Sequence, residues 1–267
     1  MTVTFALHPA ASKHIIAQAV VKMPEVQNAL KHGKIIIGAG TTNLSIASLL
    51  LGEAFEPKES YIAGLVAEQV PCITNPAERR LWCLDKGKLL ENVDWVEFLA
   101  TFTKEDIFIK GANALDPQGN VGIVMADLSG GTIGRSIGII KSRGIKLICP
   151  VGLEKLVPSC IEAEKLMGIY KTPTRLGMQI GYMAVTNSTV ITEIESIKIL
   201  FGIDSVHIAS GGVTGMEGAV TLASNCENED QAKKLLDLIK KANRLPPLKV
   251  KKLKCKDCPN PCYFNQA

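Results

Sequence analysis

The chain has 267 residues, 46% of them hydrophobic and 21% charged, which is enough apolar material for a sizeable core and excludes extensive disorder except near the ends. The formal net charge is +4, and all of it arises after residue 248, where five lysines accompany one aspartate. The neutral remainder argues against a nucleic-acid-binding protein, because affinity for phosphate backbones needs cations clustered on one face.

The sequence shows no targeting or membrane segment. Its first residues lack a cationic start followed by an apolar run, and no apolar stretch approaches the roughly 20 residues that cross a bilayer. Five cysteines are scattered through apolar segments, where free thiols behave as small hydrophobic groups in a reducing compartment. We therefore expect a cytoplasmic protein without membrane or nucleic-acid partners, and leave a homo-oligomer open.

The first predicted elements are two helices, a strand and a glycine-rich turn. Ser12 is expected to cap a helix that ends near Val21, and a second helix is expected at 24–31. The apolar strand 34–38 ends in GAGTTN and precedes a helix at 44–51. This arrangement points backbone N–H groups and a positive helix end at an anion, although a sharp turn between strand and helix would use glycine equally well.

The middle of the chain predicts the ligand-binding face. Here the predicted elements are strands at 61–66, 79–84, 107–109, 121–125 and 145–149, and helices at 94–102 and 132–143. Short apolar runs that end in Asn, Asp and Gly are how an open α/β sheet presents a ligand site. Strands separated by helices predict βαβ units in a doubly wound, mainly parallel sheet.

The last third of the chain changes character. It predicts strands at 176–185, 205–209 and 219–224, a helix at 192–200 with Thr192 and Glu195 at capping-box spacing, and an amphipathic helix at 229–243. This order resembles most of a ferredoxin-like unit. We predict an α/β ligand-binding domain at 1–168, a small ferredoxin-like α+β subdomain at 169–246 and a basic, cysteine-containing tail at 247–267.

Four motifs between residues 34 and 155 carry a resemblance: GAGTTN and GANALD, each after a strand, then GNV, and SGGTIGRS at the start of a helix. They resemble the superfamily of ribose-5-phosphate isomerase, glucosamine-6-phosphate deaminase and CoA transferases. The nearest branch holds methylthioribose-1-phosphate isomerase and the initiation-factor exchange-complex subunits. The resemblance implies a phosphorylated, sugar-phosphate-like ligand cradled by Gly40, Thr41, Thr42 and Asn43.

The same small anionic ligand is expected to contact the 111–135 region. The candidate contacts there are Gly111, Asn113, Ser129, Gly130, Gly131, Thr132 and Arg135. Arg135 could pair with a phosphate or carboxylate at the helix mouth, or could be an ordinary exposed helix residue.

The resemblance places the acidic catalytic group of the superfamily at Asn113. An amide cannot take the proton that an isomerase moves between adjacent carbons, so Asp116 and Asp127 are the candidate acid/base residues. Each also has a structural alternative, because Asp116 can initiate the turn at Pro117 and Asp127 can bind the following backbone. The exchange-complex subunits resemble this chain in having Asn, so an isomerase- or transferase-like enzyme and a non-catalytic ligand sensor both remain open.

The tail contains Cys255, Cys258 and Cys262 in the sequence KCKDCPNPCYF. Two cysteines separated by two residues can bind one soft metal, and the third supplies three of the four ligands of zinc or an iron–sulfur cluster. The fourth ligand would be one of the scattered cysteines, a partner chain or an exogenous group. A reduced tail without metal and a disulfide formed on oxidation are the alternatives.

Overall fold

The computed structural model describes residues 1–258 and 262. The α-helices are α1 (Pro9–Lys22), α2 (Pro24–His32), α3 (Thr41–Leu51), α4 (Trp95–Leu99), α5 (Gly131–Arg143), α6 (Cys160–Leu166), α7 (Glu193–Phe201) and α8 (Glu229–Ala242). The strands are β1 (Thr2–Leu7), β2 (Lys34–Ile37), β3 (Gly64–Ala67), β4 (Val70–Ile73), β5 (Trp82–Asp85), β6 (Lys88–Leu89), β7 (Ile107–Ile109), β8 (Ala114–Leu115), β9 (Val121–Met125), β10 (Lys146–Pro150), β11 (Gly181–Val185), β12 (Thr189–Ile191), β13 (Asp204–Ser210) and β14 (Val220–Asn225). Over the described part of the chain, every helix is too short or too polar to cross a bilayer.

The main sheet has six strands in the order β12-β10-β7-β2-β5-β6. Strands β12, β10, β7 and β2 are parallel, whereas β5 and β6 complete one edge through antiparallel pairing. The protein is therefore of the predicted α/β class, with a mixed sheet. In the sheet, β2 lies between β5 and β7. The chain therefore adds β5 and β6 on one side of β2 and then returns to add β7 on the other side. In open α/β sheets, a crevice forms where the strand order reverses, at the carboxyl ends of the strands.

The apolar runs of β2 and β7 explain why these strands lie at the centre. Every residue of β7 and the three isoleucines of β2 are buried, as expected for parallel strands that are covered on both faces. Ile35 and Ile37 pack in a cluster with residues of α1, α2 and α3. Ile36 and Phe108 point the other way and pack with residues of α4 and α5. Successive side chains of β2 thus pack into two different hydrophobic clusters, one on each face of the sheet.

The start of α1 differs from the prediction. The helix begins at Pro9 and its N-cap is His8, whose Nδ1 accepts the N–H groups of Ala10 (3.2 Å) and Ala11 (3.4 Å). The prediction of Ser12 as the cap was therefore wrong, because the helix begins three residues before Ser12. Histidine is outside the set of residues that usually cap helices, so the sequence did not indicate His8. Ser12 instead lies buried within the helix.

The ferredoxin-like subdomain predicted at 169–246 does not form. Strand β11 pairs with β9, β12 extends the main sheet beside β10, and β13 and β14 form a sheet with the N-terminal strand β1. The order of elements in this segment was close to the prediction, and the capping box of Thr192 and Glu195 is present. Local sequence patterns predict elements but not distant pairing partners, and β1 itself was not predicted.

Candidate functional site

Three segments meet at the carboxyl ends of β2 and β7. Gly38 follows β2, and its N–H continues the ladder by donating to the carbonyl oxygen of Ile109 at 2.9 Å. A methyl group at Gly38 would lie 3.2 Å from Cδ of Lys110 and 4.0 Å from Cγ2 of Thr132. Glycine at this position therefore allows the β2 loop, the β7 loop and the first turn of α5 to lie side by side.

Two helix N-termini open at this meeting point. Helix α3 begins after Gly40 and α5 after Gly130, and neither N-cap residue has a side chain that caps the helix. At α5 the N–H of Gly131 donates to Oδ1 of Asp127, so the N–H groups left for a ligand there begin at Thr132. Unpaired N–H groups and the positive end of the helix dipole make such a start suitable for an anion. The N–H of Gly40 donates to the carbonyl oxygen of Tyr61 at 2.9 Å. Donors for a ligand must therefore come from the residues after Gly40, beginning at Thr41 and Thr42.

Asn43 links the β2 loop to the β7 loop. Its side chain is fully buried, and Nδ2 donates to the carbonyl oxygen of Gly38 at 2.7 Å. Oδ1 has no hydrogen-bond partner in the described part of the chain, and it lies 3.9 Å from the position of a methyl group on Gly111. Buried acceptors normally have a donor, so this oxygen is suited to a hydroxyl group of a ligand or to a bound water.

Lys110 is a site residue that sequence reasoning missed. Its Nζ donates to the carbonyl oxygen of Gly111 at 3.1 Å, the one hydrogen bond it makes to the described residues. The side chain is partly buried, and this desolvation lowers the pKa of Lys110 to about 8. A buried cation with one acceptor is unfavourable unless an anion joins it. One lysine after a strand forms no sequence pattern, so no motif drew attention to it.

Arg79 is a second cation that the sequence did not indicate. Its Nε and Nη2 are buried and have no hydrogen-bond partner among the residues that the structure describes. Burial lowers the pKa of Arg79, whereas the nearby charge of Asp127 raises it. Asp127 belongs to the loop that leads into α5, so this guanidinium group is within electrostatic range of that loop.

Asp127 itself shapes the loop before α5. Its Oδ1 accepts the N–H groups of Ser129 at 2.9 Å and Gly131 at 3.3 Å, and lies 3.8 Å from Nη2 of Arg135. Gly130 and Gly131 have φ angles of +77° and +58°, in the left-handed region that favours glycine. These contacts agree with the alternative in which Asp127 binds the backbone that follows it. Both Asp127 and Arg135 are exposed.

Asp116 and Asn113 are engaged in holding the neighbouring loop together. The carboxylate of Asp116 is 2% exposed and accepts four hydrogen bonds, from the backbone N–H groups of Gln118, Asn120 and Cys160 and from Nδ2 of Asn120. Burial raises the pKa of Asp116, but these hydrogen bonds outweigh burial and hold it below its usual value. Oδ1 of exposed Asn113 accepts the N–H of Val124 at 3.0 Å. We therefore leave both out of the proposed site.

Asp116→Asn should destabilise the protein by about 2 to 4 kcal/mol, because an amide N–H₂ would face donors that the carboxylate now accepts. Urea unfolding of this variant, with the exposed Asp237→Asn as the matched control, measures the change. Phosphate binding by the folded fraction should be unaffected. A variant of normal stability that has lost ligand binding or turnover would restore Asp116 as a candidate acid/base residue.

Buried charged groups continue along the same edge of the sheet. Nζ of Lys155, in the turn after β10, donates to the carbonyl oxygen of Ala112 at 2.9 Å, and burial lowers its pKa. Glu193 follows β12 and is fully buried, with Oε2 accepting the N–H of Leu153 at 2.9 Å. Burial raises the pKa of Glu193 to about 7. Since Leu153 precedes Lys155 by two residues, Glu193 fixes the turn that carries this lysine.

The three tail cysteines lie apart from this edge of the sheet, beside the β3–β4 ribbon, where they line a separate cavity. All eight cysteines of the chain are thiols rather than disulfides. Comparison of the chain with protein-family models, with curated proteins and with solved structures found no match.

Proposed function

We propose that this protein binds a small phosphorylated ligand at the carboxyl ends of β2 and β7. The observation that carries the proposal is the partly buried ammonium group of Lys110, which makes one hydrogen bond to the described residues and whose stem lies beside Gly38, in the loop that leads to α3. A phosphate group would accept hydrogen bonds from the free N–H groups of both helices and pair with Lys110. Arg79 would add a second cation, and its unpartnered nitrogens would gain acceptors.

The proposal includes the doubly wound arrangement inferred from the sequence, because ligands of doubly wound sheets bind where the strand order reverses. The environment of Asn43 favours a sugar phosphate over a phosphate ion alone. The buried Oδ1 of Asn43 is an acceptor without a donor, which a sugar hydroxyl could supply and a fully ionised phosphate could not.

A thermal-shift screen tests the proposal with inorganic phosphate, sugar phosphates, nucleotides and CoA esters. A ligand at 100 times its dissociation constant adds about 2.7 kcal/mol to the stability of the folded state, which is readily measured. We expect a shift with sugar phosphates that is lost in Lys110→Met and retained in Lys233→Met, a change at an exposed lysine of α8. Equal shifts in both variants, or no shift with any phosphate compound, would contradict the proposal.

An isomerase- or transferase-like activity is a second candidate function, and the lowered pKa of Lys110 favours it. An amine with a pKa of about 8 is partly unprotonated at neutral pH, the state that a general base or an amine nucleophile requires. The ligand found in the screen would be incubated in D₂O and followed by NMR. Exchange at the carbon next to its carbonyl group, lost in Lys110→Met, supports an enzyme, whereas saturable binding without exchange or product supports a sensor.

A further inference from the structure

A cavity of about 300 Å³ lies away from the proposed phosphate site. Its walls come from three parts of the chain: the β3–β4 ribbon, the loop of Gly177 and Met178, and the C-terminal tail. Four of the eight cysteines line it, namely Cys72, Cys255, Cys258 and Cys262. Half of the thiols of the protein thus line one small space.

The tail is attached to the ribbon by specific hydrogen bonds. The N–H of Leu253 donates to the carbonyl oxygen of Ile73 at 2.8 Å, next to Cys72 on β4. The N–H of Lys251 donates to Oε1 of Glu59 at 3.0 Å. These contacts bring the tail cysteines to the strand that carries Cys72.

Lys252 balances negative charge at the edge of this cavity. Its side chain is 11% exposed, and Nζ lies 3.1 Å from Oε2 of Glu68 and 3.3 Å from Sγ of Cys255. Four thiolates around a metal leave a net negative centre, which a buried ammonium beside one of the sulfur atoms would stabilise. The other lysines of the tail are within a few residues of the same cysteines.

The size of the cavity favours a cluster over a single ion. Zinc binds each thiolate at about 2.3 Å, so its four sulfur atoms converge on one point. Within residues 1–258 and 262, no three Cys, His, Asp or Glu side chains converge closely enough to hold one metal ion. In a [4Fe–4S] cluster each of the four cysteines binds a different iron, so the sulfur atoms surround a larger volume than they would around one ion. A cavity of about 300 Å³ has room for such a cluster.

We propose that Cys72 and the three tail cysteines form a four-thiolate metal centre, and that it holds an iron–sulfur cluster rather than zinc. Cys72 supplies the fourth ligand that the tail sequence lacks. The centre would join the tail to the β3–β4 ribbon. Because it uses none of the residues assigned to phosphate binding, it stands or fails independently of the proposed function.

The test is metal and acid-labile sulfide analysis of the full-length protein after anaerobic purification and after reconstitution with ferrous iron and sulfide, or with Zn²⁺. The variants are Cys72→Ala and Cys258→Ala, with Cys226→Ala, a buried cysteine outside the cavity, as the matched control. Circular dichroism establishes that each variant is folded. We expect iron, sulfide and visible absorption in the wild type and the control, and at least a tenfold loss of iron in both cavity variants.

Each other outcome decides a part of the proposal. Zinc without sulfide, lost in both cavity variants, would support the four-thiolate centre and overturn the cluster. Iron lost in Cys258→Ala but retained in Cys72→Ala would overturn Cys72 as the fourth ligand. Absence of bound metal under all of these conditions, or equal metal in all variants, would overturn the centre altogether.

Discussion

Replacing Lys110 with methionine should stabilise the ligand-free protein at pH 7 by about 3 kcal/mol, from a lowering of the pKa of Lys110 from 10.5 to about 8 at 1.36 kcal/mol per unit. Methionine keeps the apolar stem of the side chain and removes the buried charge. The same substitution should weaken phosphate binding by about 10- to 100-fold, since a hydrogen bond to a charged group contributes about 1.5 to 3 kcal/mol. Higher stability together with lost binding is typical of a residue retained for a ligand.

Burial of Lys110 makes the stability of the folded protein depend on pH in a defined direction. Below pH 8 the lysine is protonated in the folded and unfolded states, and the cost of burying its charge is constant. Between pH 8 and its ordinary pKa of 10.5, the unfolded state holds the extra proton, so stability rises with pH. Above that range both states are neutral and the cost is gone.

Urea unfolding between pH 7 and 10 measures this dependence as the difference between wild type and Lys110→Met, which cancels the titration of other groups. The difference should be largest at pH 7 and vanish towards pH 10.5. Lys233→Met should follow the wild type throughout. A Lys110→Met protein that is less stable than wild type at pH 7 would show that the ammonium group has a structural partner instead of awaiting a ligand.

Glu193→Gln should stabilise the protein by about 3 kcal/mol at pH 8 and have little effect at pH 4, on the same scale of 1.36 kcal/mol per pKa unit. Glu193 is fully buried, and burial raises its pKa to about 7 from 4.5. A glutamine oxygen can still accept the N–H of Leu153, and its N–H₂ group would replace Oε1, which has no hydrogen-bond partner among the described residues. The substitution therefore removes the ionised form while preserving the contact with Leu153.

Stability changes with pH in opposite directions for the two residues: it falls as pH rises because of Glu193, whereas it rises because of Lys110. Below pH 4.5 the carboxyl group is protonated in both states. Between pH 4.5 and 7 only the folded state keeps the proton, so wild-type stability falls as pH rises, and above pH 7 the full cost of the buried carboxylate is present. Unfolding curves of wild type, Glu193→Gln and the exposed control Glu91→Gln at pH 4, 6 and 8 measure it. A Glu193→Gln protein that is destabilised at pH 8 would indicate that the carboxylate is paired in the folded state.

Sequence patterns predicted the central elements to within one or two residues. The strands β2, β7 and β10 are apolar runs next to glycines or charged residues, and α5 begins at two consecutive glycines, so their local signals agree with their burial. The parallel strands also place the GAGTTN loop, Gly111 and Thr132 together, as expected. These are positions where local preference and tertiary packing favour the same structure.

The failures have a common physical cause, because each depends on contacts between distant parts of the chain. Strand β11 pairs with β9, and the β13–β14 pair is completed by β1. Strands β9 and β1 both lie outside the predicted subdomain at 169–246. Lys110 and Arg79 became candidates only through the burial of their charges, which no spacing of residues indicates. In the tail, the spacing of three cysteines pointed to a metal, but the position of Cys72 beside them follows only from the docking of the tail.

The most direct test of the central claim is a titration of ¹⁵N-labelled protein with inorganic phosphate, followed through the backbone amide signals. The account predicts saturable shifts of the amides at the starts of α3 and α5, residues 41–43 and 131–133, and their absence in Lys110→Met. Shifts confined to the basic tail after residue 248, or shifts that are the same in wild type and Lys110→Met, would contradict a phosphate site at the carboxyl ends of β2 and β7.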